Sequence, residues 1–224
     1  MTFSPASRNR LTHHDLGRFP GDTLFERLGR VVCAAGCVAR KELHEAWEVG
    51  RRTRRIRRGG RVIDVGGGHG LLAHVMLLLD DSSSDAYVVD RAVPPSARAL
   101  HAVLSAEWPR IRHRVTLVSS DIADFTLQSG DIVVSCHACG ALTDEILELV
   151  VAVGASVAVL PCCHHFERCH AGSLAGWMDR SLAIDTMRAV RLEQHGYRVW
   201  TQTIPAVITP KNRLLIGVPE NREV

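Results

Sequence analysis

The sequence predicts an α/β fold: a doubly wound, mostly parallel seven-stranded sheet with an antiparallel terminal strand and helices on both faces. Three observations support this prediction. Short β-branched runs alternate with helical stretches along most of the chain, and a glycine-rich loop directly follows the first run. The last two runs follow each other without a helix between them. Such alternation is typical of βαβ units, which build parallel sheets.

The first part of the chain lacks strand-like runs. Residues 1–22 combine Ser, Arg, Asn, His and Pro without periodicity, which predicts a flexible polar arm. Residues 23–58 carry apolar side chains at helical spacing and predict two helices, the second over 41–55. The pair Gly59-Gly60 then interrupts the helical pattern, so we expect the main domain to cover 59–224.

The main domain is expected to hold seven strands and four helices. Runs rich in Val and Ile predict strands at 61–65, 86–90, 115–118, 131–135, 156–160, 197–204 and 213–218. Between them, apolar residues at helical spacing predict helices at 71–79, 97–108, 144–151 and 174–194.

The composition is that of a globular chain, with 46% hydrophobic residues among 224. No apolar run approaches the roughly 20 residues that a membrane-spanning helix needs. Residues 1–19 lack the apolar core of a secretory signal, so we expect a cytoplasmic protein without membrane contact. Seven cysteines in such a protein favour reduced thiols over disulfides. Nothing in the sequence indicates an oligomeric state.

The loop after the first strand predicts a cofactor site. It reads Asp64-Val65-Gly66-Gly67-Gly68-His69-Gly70, and glycines let a backbone turn tightly and approach a ligand. A dinucleotide fingerprint needs glycine at the sixth position counted from Gly66, but Leu71 stands there. Asp90 closes the second strand, where a carboxylate accepts hydrogen bonds from ribose hydroxyls.

This glycine spacing, followed by acids at the ends of the second and third strands, resembles class I S-adenosylmethionine-dependent methyltransferases. The resemblance implies a Rossmann-like fold, a methyltransferase domain over 59–224 and S-adenosylmethionine as cofactor. NAD, another nucleotide or a degenerate site are the alternatives. The cofactor contacts that we expect are Asp64, Gly66, Gly68, Gly70, Asp90, Asp121 and Ser135.

Two clusters of cysteine and histidine follow the fourth and fifth strands, where the transferable methyl group would lie. The segments 137–144 and 162–165, together with Val89-Asp90-Arg91, resemble the tRNA ribose 2′-O-methyltransferases that modify the acceptor stem. Related bacterial and animal methyltransferase-like domains share similar motifs. This chain departs from the tRNA family at Cys136, where that family has lysine, and the residues before the main domain predict an arm and helices where that family bears zinc-binding modules.

The clusters predict catalytic and substrate-binding residues. A hydroxyl acceptor needs a base, and a histidine suits that role, with His137 as the first candidate and His164 as the second. Cys162, Cys163 and His165 are expected around the acceptor. Zinc is the competing interpretation, but adjacent cysteines and adjacent histidines are poor chelating spacings, so we predict no metal ligands.

Two further features suggest substrate contacts. A run of six arginines between 51 and 58 includes Arg54 and Arg55, which we expect to contact phosphates of RNA. A solvated helix face is the alternative interpretation. Lys211 and Asn212 belong to a turn between the last two strands, and related domains show a similar Pro-Lys-Asn-Arg turn. A role facing the substrate is therefore an additional expectation for these two residues.

The leading hypothesis is a methyltransferase that acts on RNA, on a tRNA ribose hydroxyl or a base. The first alternative is a methyltransferase for a small molecule or peptide in a biosynthetic pathway. The second is a non-catalytic domain that binds zinc or cofactor.

Overall fold

The computed structural model describes residues 3–220 and contains one seven-stranded sheet. The first two residues of the predicted arm and the last four of the predicted main domain lie outside the described part. The strands are β1 (Val62–Val65), β2 (Ala86–Asp90), β3 (Val115–Ser119), β4 (Ile132–Ser135), β5 (Ser156–Val159), β6 (Tyr197–Thr203) and β7 (Arg213–Pro219).

The order of the strands across the sheet is β3-β2-β1-β4-β5-β7-β6. The first five pair in parallel, whereas β7 runs antiparallel to both β5 and β6. The predicted fold class, with its single antiparallel strand near the edge, is therefore confirmed. The winding reverses between β1 and β4, and ligands of such sheets bind beyond the carboxyl ends of the strands at this point.

Within the described residues, six α-helices cover the two faces of the sheet. They are α1 (Leu24–Ala35), α2 (Arg40–Ile56), α3 (Leu71–Leu79), α4 (Pro95–Glu107), α5 (Ala141–Val153) and α6 (Arg180–Gln194). The first four share one apolar core with the sheet, and α5 and α6 share the other. The central strands are buried on both faces, which explains their nearly continuous apolar runs. Within residues 3–220, none of the helices has the length and apolar character required to cross a bilayer.

The segment predicted as a flexible arm is ordered over its described residues. Leu11 and Phe19 are buried in the core beside α1 and α2, and Arg10 forms an isolated β-bridge with Ala39. A short 3-10 helix covers His13–Arg18. The prediction of flexibility is wrong here because two widely spaced apolar anchors produce no periodic signal.

The helix predicted over 174–194 is divided in the structure. A 3-10 turn covers Gly172–Gly176, and α6 begins only after Asp179. The Asp179 side chain accepts hydrogen bonds from the N–H groups of Ser181 and Leu182, which makes it the N-cap of α6. The cap sets the start of the helix and separates it from the preceding loop.

Candidate functional site

Two adjoining cavities lie beyond the carboxyl ends of β1, β2 and β4. The first has a volume of about 360 Å³ and is bordered by Gly66, Asp90, Asp121 and His137. The second has a volume of about 160 Å³ and shares Gly66 and His137 with the first. We call the two cavities together the strand-edge cleft. Their combined size is within the range of pockets that hold small organic ligands.

The glycine loop forms one wall of this cleft. Gly70 has φ 76°, and a Cβ on this residue would lie 2.6 Å from a methyl group of Val88. Any larger side chain would therefore meet both strain and a collision. Gly68 has φ 51°, and a Cβ there would find no protein atom within 4 Å. The loop therefore borders open space, as a cradle for a ligand must.

Asp90 connects the loop to the end of β2. Its carboxylate accepts a hydrogen bond from the N–H of Gly68 at 3.0 Å and another from the N–H of Ala92 at 3.1 Å. The residue borders the larger cavity. The position that the sequence predicts for a ribose-binding acid thus lies in the cleft, with its carboxylate oriented by two backbone donors.

The acid at the end of β3 and the serine at the end of β4 have different surroundings. Asp121 borders the cleft, where Arg91 donates to its carboxylate at 2.8 Å. A backbone hydrogen bond from Ala123, helped by Arg91, holds the pKa of Asp121 below its usual value. Ser135 is fully buried, and it borders neither cavity of the cleft. The structure therefore does not support Ser135 as a direct cofactor contact, because its side chain is enclosed in the sheet.

Asp64 lies under the glycine loop and borders the smaller cavity. Its carboxylate accepts a hydrogen bond from the N–H of Ala73 in α3 at 3.0 Å. Burial raises the pKa of Asp64 to about 7; the Ala73 hydrogen bond opposes this shift, and the nearby charge of Asp90 adds to it. A carboxyl group with this pKa changes its charge near neutral pH.

His137 lies where the cavities of the site meet. It is exposed and borders both cavities of the strand-edge cleft. It also borders a further cavity of about 390 Å³, which we call the thiol cavity because Cys162 and Cys163 line it. The imidazole therefore stands between the place expected for the methyl donor and a second space that is open to an acceptor.

The two neighbouring histidines after β5 have different positions. The Nε2 atom of His164 lies 2.8 Å from the carboxylate of Asp185, and the His164 side chain is only 5% exposed. Asp185 also accepts from Arg188 and Arg213, which fixes the histidine in a buried ion-pair network. His164 borders none of the three cavities, so the structure does not support its role as a base. His165 borders the strand-edge cleft.

Three cysteines from two loops come together beside His137. The sulfur atoms of Cys139, Cys162 and Cys163 all lie within 4.8 Å of one another, and those of Cys139 and Cys162 are 2.8 Å apart. Lys211 Nζ lies 3.8 Å from the sulfur of Cys163. Burial raises the pKa of the Cys163 thiol, but hydrogen bonds from Cys162 and Cys139 and the charge of Lys211 bring that pKa below its usual value.

The two residues predicted in the turn between β6 and β7 lie at different places relative to the site. Lys211 borders the thiol cavity. Asn212, by contrast, donates its side-chain N–H to the carbonyl of Ile204 at 2.9 Å, and the N–H of Ile204 donates to the carbonyl of Asn212. Asn212 thus closes the turn and borders none of the three cavities, so the structure does not support its predicted role in substrate binding.

The arginine run lies far from the cleft. Glu42 near the start of α2 borders the cleft, and Arg54 follows twelve residues later, about 18 Å along the helix axis. Arg54 is 3% exposed; it pairs with Asp80 and donates to the side chain of Ser83. Its predicted contact with RNA is therefore wrong, because its charge is satisfied inside the protein. Arg55 is exposed, but on the same distant part of the helix.

Several residues of the site were not predicted. Arg168 and Glu145 border the strand-edge cleft, Arg8 and Lys41 border the thiol cavity, and Glu42 borders both. Arg8 comes from the segment that was expected to be flexible, so its position depends on the packing of Leu11 and Phe19. Glu42 and Lys41 lie in the first turn of α2, and no local pattern distinguishes them from solvated helix residues.

A family model described as a methyltransferase domain matches residues 48–168, which is more than half of the chain. The matched range includes the glycine loop, Asp90, Asp121 and both cysteine–histidine clusters. None of the curated proteins matches the chain significantly.

Solved structures of similar architecture include several methyltransferases. An O-methyltransferase family protein from Burkholderia thailandensis has a TM-score of 0.54 and 17% identity over 93% of this chain and 64% of its own. Ribosomal protein L11 methylase from Lactobacillus delbrueckii subsp. bulgaricus has a TM-score of 0.52 and 14% identity, covering 79% and 77%. The mitomycin 7-O-methyltransferase MmcR has a TM-score of 0.52 and 16% identity, covering 92% and 60%. The chain thus spans less than two thirds of the first and third of these, and the likeness concerns the fold.

Proposed function

Because this chain belongs to the family of S-adenosylmethionine-dependent methyltransferase domains, we propose that it methylates RNA, on a ribose hydroxyl or a base of tRNA. The observation that carries the proposal is the position of His137, between the strand-edge cleft and a thiol cavity bordered by the basic residues Arg8 and Lys211. In this proposal the cleft holds the methyl donor and the thiol cavity receives the acceptor.

The cleft fits S-adenosylmethionine on three counts. Its glycine wall leaves open space at Gly68, where a side chain would intrude. The Asp90 carboxylate borders the cavity and is oriented by two backbone donors, so it can accept hydrogen bonds from ribose hydroxyls. The Asp90 carboxylate also adds negative charge beside a cofactor that carries a sulfonium cation. When bound, S-adenosylmethionine supplies a methyl group activated for in-line displacement.

His137 would orient the acceptor and remove its proton. Methyl transfer needs the acceptor atom in line with the bond that breaks, so positioning supplies much of the rate. A ribose hydroxyl also loses a proton during the transfer, and an exposed imidazole at the junction of the two spaces can accept it. If the acceptor were instead a ring nitrogen of a nucleobase, His137 would only have to orient it.

The charges around the thiol cavity favour an anionic acceptor. Lys41 pairs with Glu45, and Glu42 also borders the cavity, so the positive charge comes mainly from Arg8 and Lys211. Phosphates bind such positions through the release of counterions. In the present proposal the RNA backbone follows this rim and does not reach the arginines at the end of α2.

A small-molecule acceptor is the second candidate. The thiol cavity has a volume of about 390 Å³, which is sufficient for a compact organic molecule. Two of the similar structures described above belong to O-methyltransferases, one of them for mitomycin. These proteins are distant in sequence, so they suggest this candidate only through the shared fold.

The test measures radiolabelled methyl transfer from S-adenosylmethionine to total RNA and, in parallel, to an RNA-free metabolite extract. We expect label in RNA that is lost in an Asp90→Ala variant. Lys211→Glu should reduce labelling about tenfold or more by repelling phosphates, and its difference from the wild type should shrink at higher salt, because salt weakens the phosphate contact that only the wild type makes. The matched control is Arg55→Glu, which makes the same charge change on the distant end of α2 and should leave labelling unchanged.

Other outcomes would redirect the assignment. Label only in the extract would reject RNA and favour the small-molecule candidate. Labelling that falls with Arg55→Glu but not with Lys211→Glu would contradict the proposed path of RNA. Absence of label in both fractions, with cofactor binding intact, would favour the non-catalytic alternative.

A further inference from the structure

The geometry points to a metal site: we propose that Cys139, Cys162 and Cys163 together bind one thiophilic divalent ion, Zn²⁺ under physiological conditions. The three sulfur atoms lie within 4.8 Å of one another, and the group contains no carboxylate. Thiolate ligands select zinc and similar soft metals over Mg²⁺ or Ca²⁺. The family assignment gives no metal, and the linear spacing of these cysteines argued against one.

The ligands come from two loops that the sheet brings side by side. Cys139 follows β4, and the Cys162-Cys163 pair follows β5, the parallel neighbour of β4. The N–H of Gly140 donates to the carbonyl of Cys163 at 3.0 Å, which fixes one loop against the other. The sulfur atoms therefore meet through backbone pairing, and chelation by a single short motif is not needed.

The distances suit a metal after a small adjustment. Zinc–sulfur bonds of about 2.3 Å at a tetrahedral angle place ligand sulfurs roughly 3.8 Å apart. The sulfurs of Cys139 and Cys162, at 2.8 Å, would move apart by about 1 Å to accept an ion. A disulfide between these two would instead leave Cys163 without a function, whereas a metal uses all three.

Charge balance supports the same conclusion. Binding of Zn²⁺ by three thiols releases their three protons and leaves a centre with one net negative charge. The ammonium group of Lys211 lies 3.8 Å from the sulfur of Cys163, where it offsets that charge. This ammonium group is an independent feature of the site, because it comes from the turn between β6 and β7.

Three protein ligands leave a fourth tetrahedral position for another group. Zinc sites with three protein ligands and an open position are typical of catalytic centres, whereas structural sites use four. Cys139 borders the strand-edge cleft, and Cys162 and Cys163 border the thiol cavity. The open position is therefore available to water or to an acceptor atom beside His137. Metal binding itself does not depend on whether the acceptor is RNA.

The experiment uses the full chain, reduced and freed of metal by a chelator, and titrates it with Co²⁺ and then Zn²⁺. We expect thiolate-to-cobalt charge-transfer absorption that saturates at about one ion per chain and is displaced by Zn²⁺. Single Cys→Ser variants at 139, 162 and 163 should each weaken binding by at least about 100-fold. The matched control, Cys37→Ser, changes a half-buried cysteine outside the cluster and should bind as the wild type does.

A second measurement needs no variant. Zn²⁺ should protect the three cysteines of the wild-type protein from alkylation, as mapped by mass spectrometry, and should leave Cys37 unprotected. The proposal is overturned if the reduced protein takes up neither ion, if binding survives in the three variants, or if alkylation is unaffected by zinc. Since these measurements detect metal and not methyl transfer, their failure is separable from failure of the proposed function.

Discussion

The carboxylate of Asp90 accepts a hydrogen bond from the backbone N–H of Gly68 at 3.0 Å. The acid at the end of β2 thereby holds the glycine loop at the end of β1, and it also borders the cleft between them. One oxygen of the carboxylate is engaged by the loop and the other by the N–H of Ala92. Because each oxygen has two lone pairs, both retain capacity to accept from a ligand.

Replacing Asp90 with alanine should weaken cofactor binding by about 2–3 kcal/mol, or roughly 30- to 150-fold in Kd. The physical reason is the loss of charge-assisted hydrogen bonds to ribose hydroxyls together with release of the Gly68 N–H. Isothermal titration calorimetry with S-adenosylmethionine measures the change. Asp90→Asn retains one acceptor for Gly68, so it should keep wild-type thermal stability and still lose affinity.

Asp124→Ala is the matched control, because Asp124 is an exposed aspartate close to β3 that borders none of the three cavities. Its affinity for S-adenosylmethionine should equal that of the wild type. Unchanged affinity in Asp90→Ala would show that the cofactor does not bind at this carboxylate.

His137→Ala should lower kcat by about 10²- to 10⁴-fold for a hydroxyl acceptor, since it removes the base that receives the proton. The Kd for S-adenosylmethionine should stay within a fewfold of the wild-type value. Single-turnover kinetics and binding measurements separate these two effects. His170→Ala changes an exposed histidine after β5 that borders no described cavity of the site, and it should retain full activity.

The size of the loss in His137→Ala identifies the kind of acceptor in the same experiment. A fall of less than tenfold in His137→Ala would indicate a ring nitrogen, for which the residue only orients the substrate. An unchanged kcat with every acceptor would contradict the central role that we give His137.

The sequence was sufficient to predict the sheet and the edge of the sheet at which the strand-edge cleft lies. Parallel strands that are buried on both faces produce continuous apolar runs, and the first two runs end at a recognisable Gly66 and Asp90. The glycine loop and Asp90 are neighbours in the structure because adjacent parallel strands end at the same edge. At these positions the residue pattern along the chain and the order of the strands point to the same place, so the predicted position matches the structure.

Several other residues of the site could not be predicted correctly, because their positions depend on contacts with residues that are distant in the sequence. His164 and His165 are adjacent in the chain, yet one pairs with Asp185 and the other borders the cleft. The three cysteines meet only because β4 and β5 are neighbours. A run of arginines shows the sign of its charge but not its partners, and Asp80 lies distant in sequence from Arg54.

Arg54→Ala should destabilise the protein by about 3–5 kcal/mol, because it leaves the buried carboxylate of Asp80 without its cation. Urea unfolding followed by circular dichroism measures the loss. Arg55→Ala, which removes an exposed arginine at the next position, should change the free energy of unfolding by less than about 0.5 kcal/mol. Equal effects of the two variants would show that the Arg54–Asp80 pair is not buried as described.

The raised pKa of Asp64 makes stability depend on pH in a defined direction. In the folded protein, burial raises this pKa from 3.8 to about 7, so the folded state keeps a proton that the unfolded chain releases. Stability contributed by Asp64 is therefore full near pH 4, falls as the pH rises through the interval up to about 7, and is level above it.

The variant Asp64→Asn provides the reference for this pH dependence. Its amide does not titrate, and the amide oxygen can still accept from the N–H of Ala73. The free energy of unfolding of the wild type, relative to Asp64→Asn, should fall by on the order of 4 kcal/mol between pH 4 and pH 8. Urea titrations of both proteins across this range measure the difference, and other titrating groups cancel in the comparison. A wild type that gains stability over the variant as the pH rises would overturn the prediction, because it would show that the hydrogen bond from the Ala73 N–H stabilises the Asp64 carboxylate more than burial destabilises it.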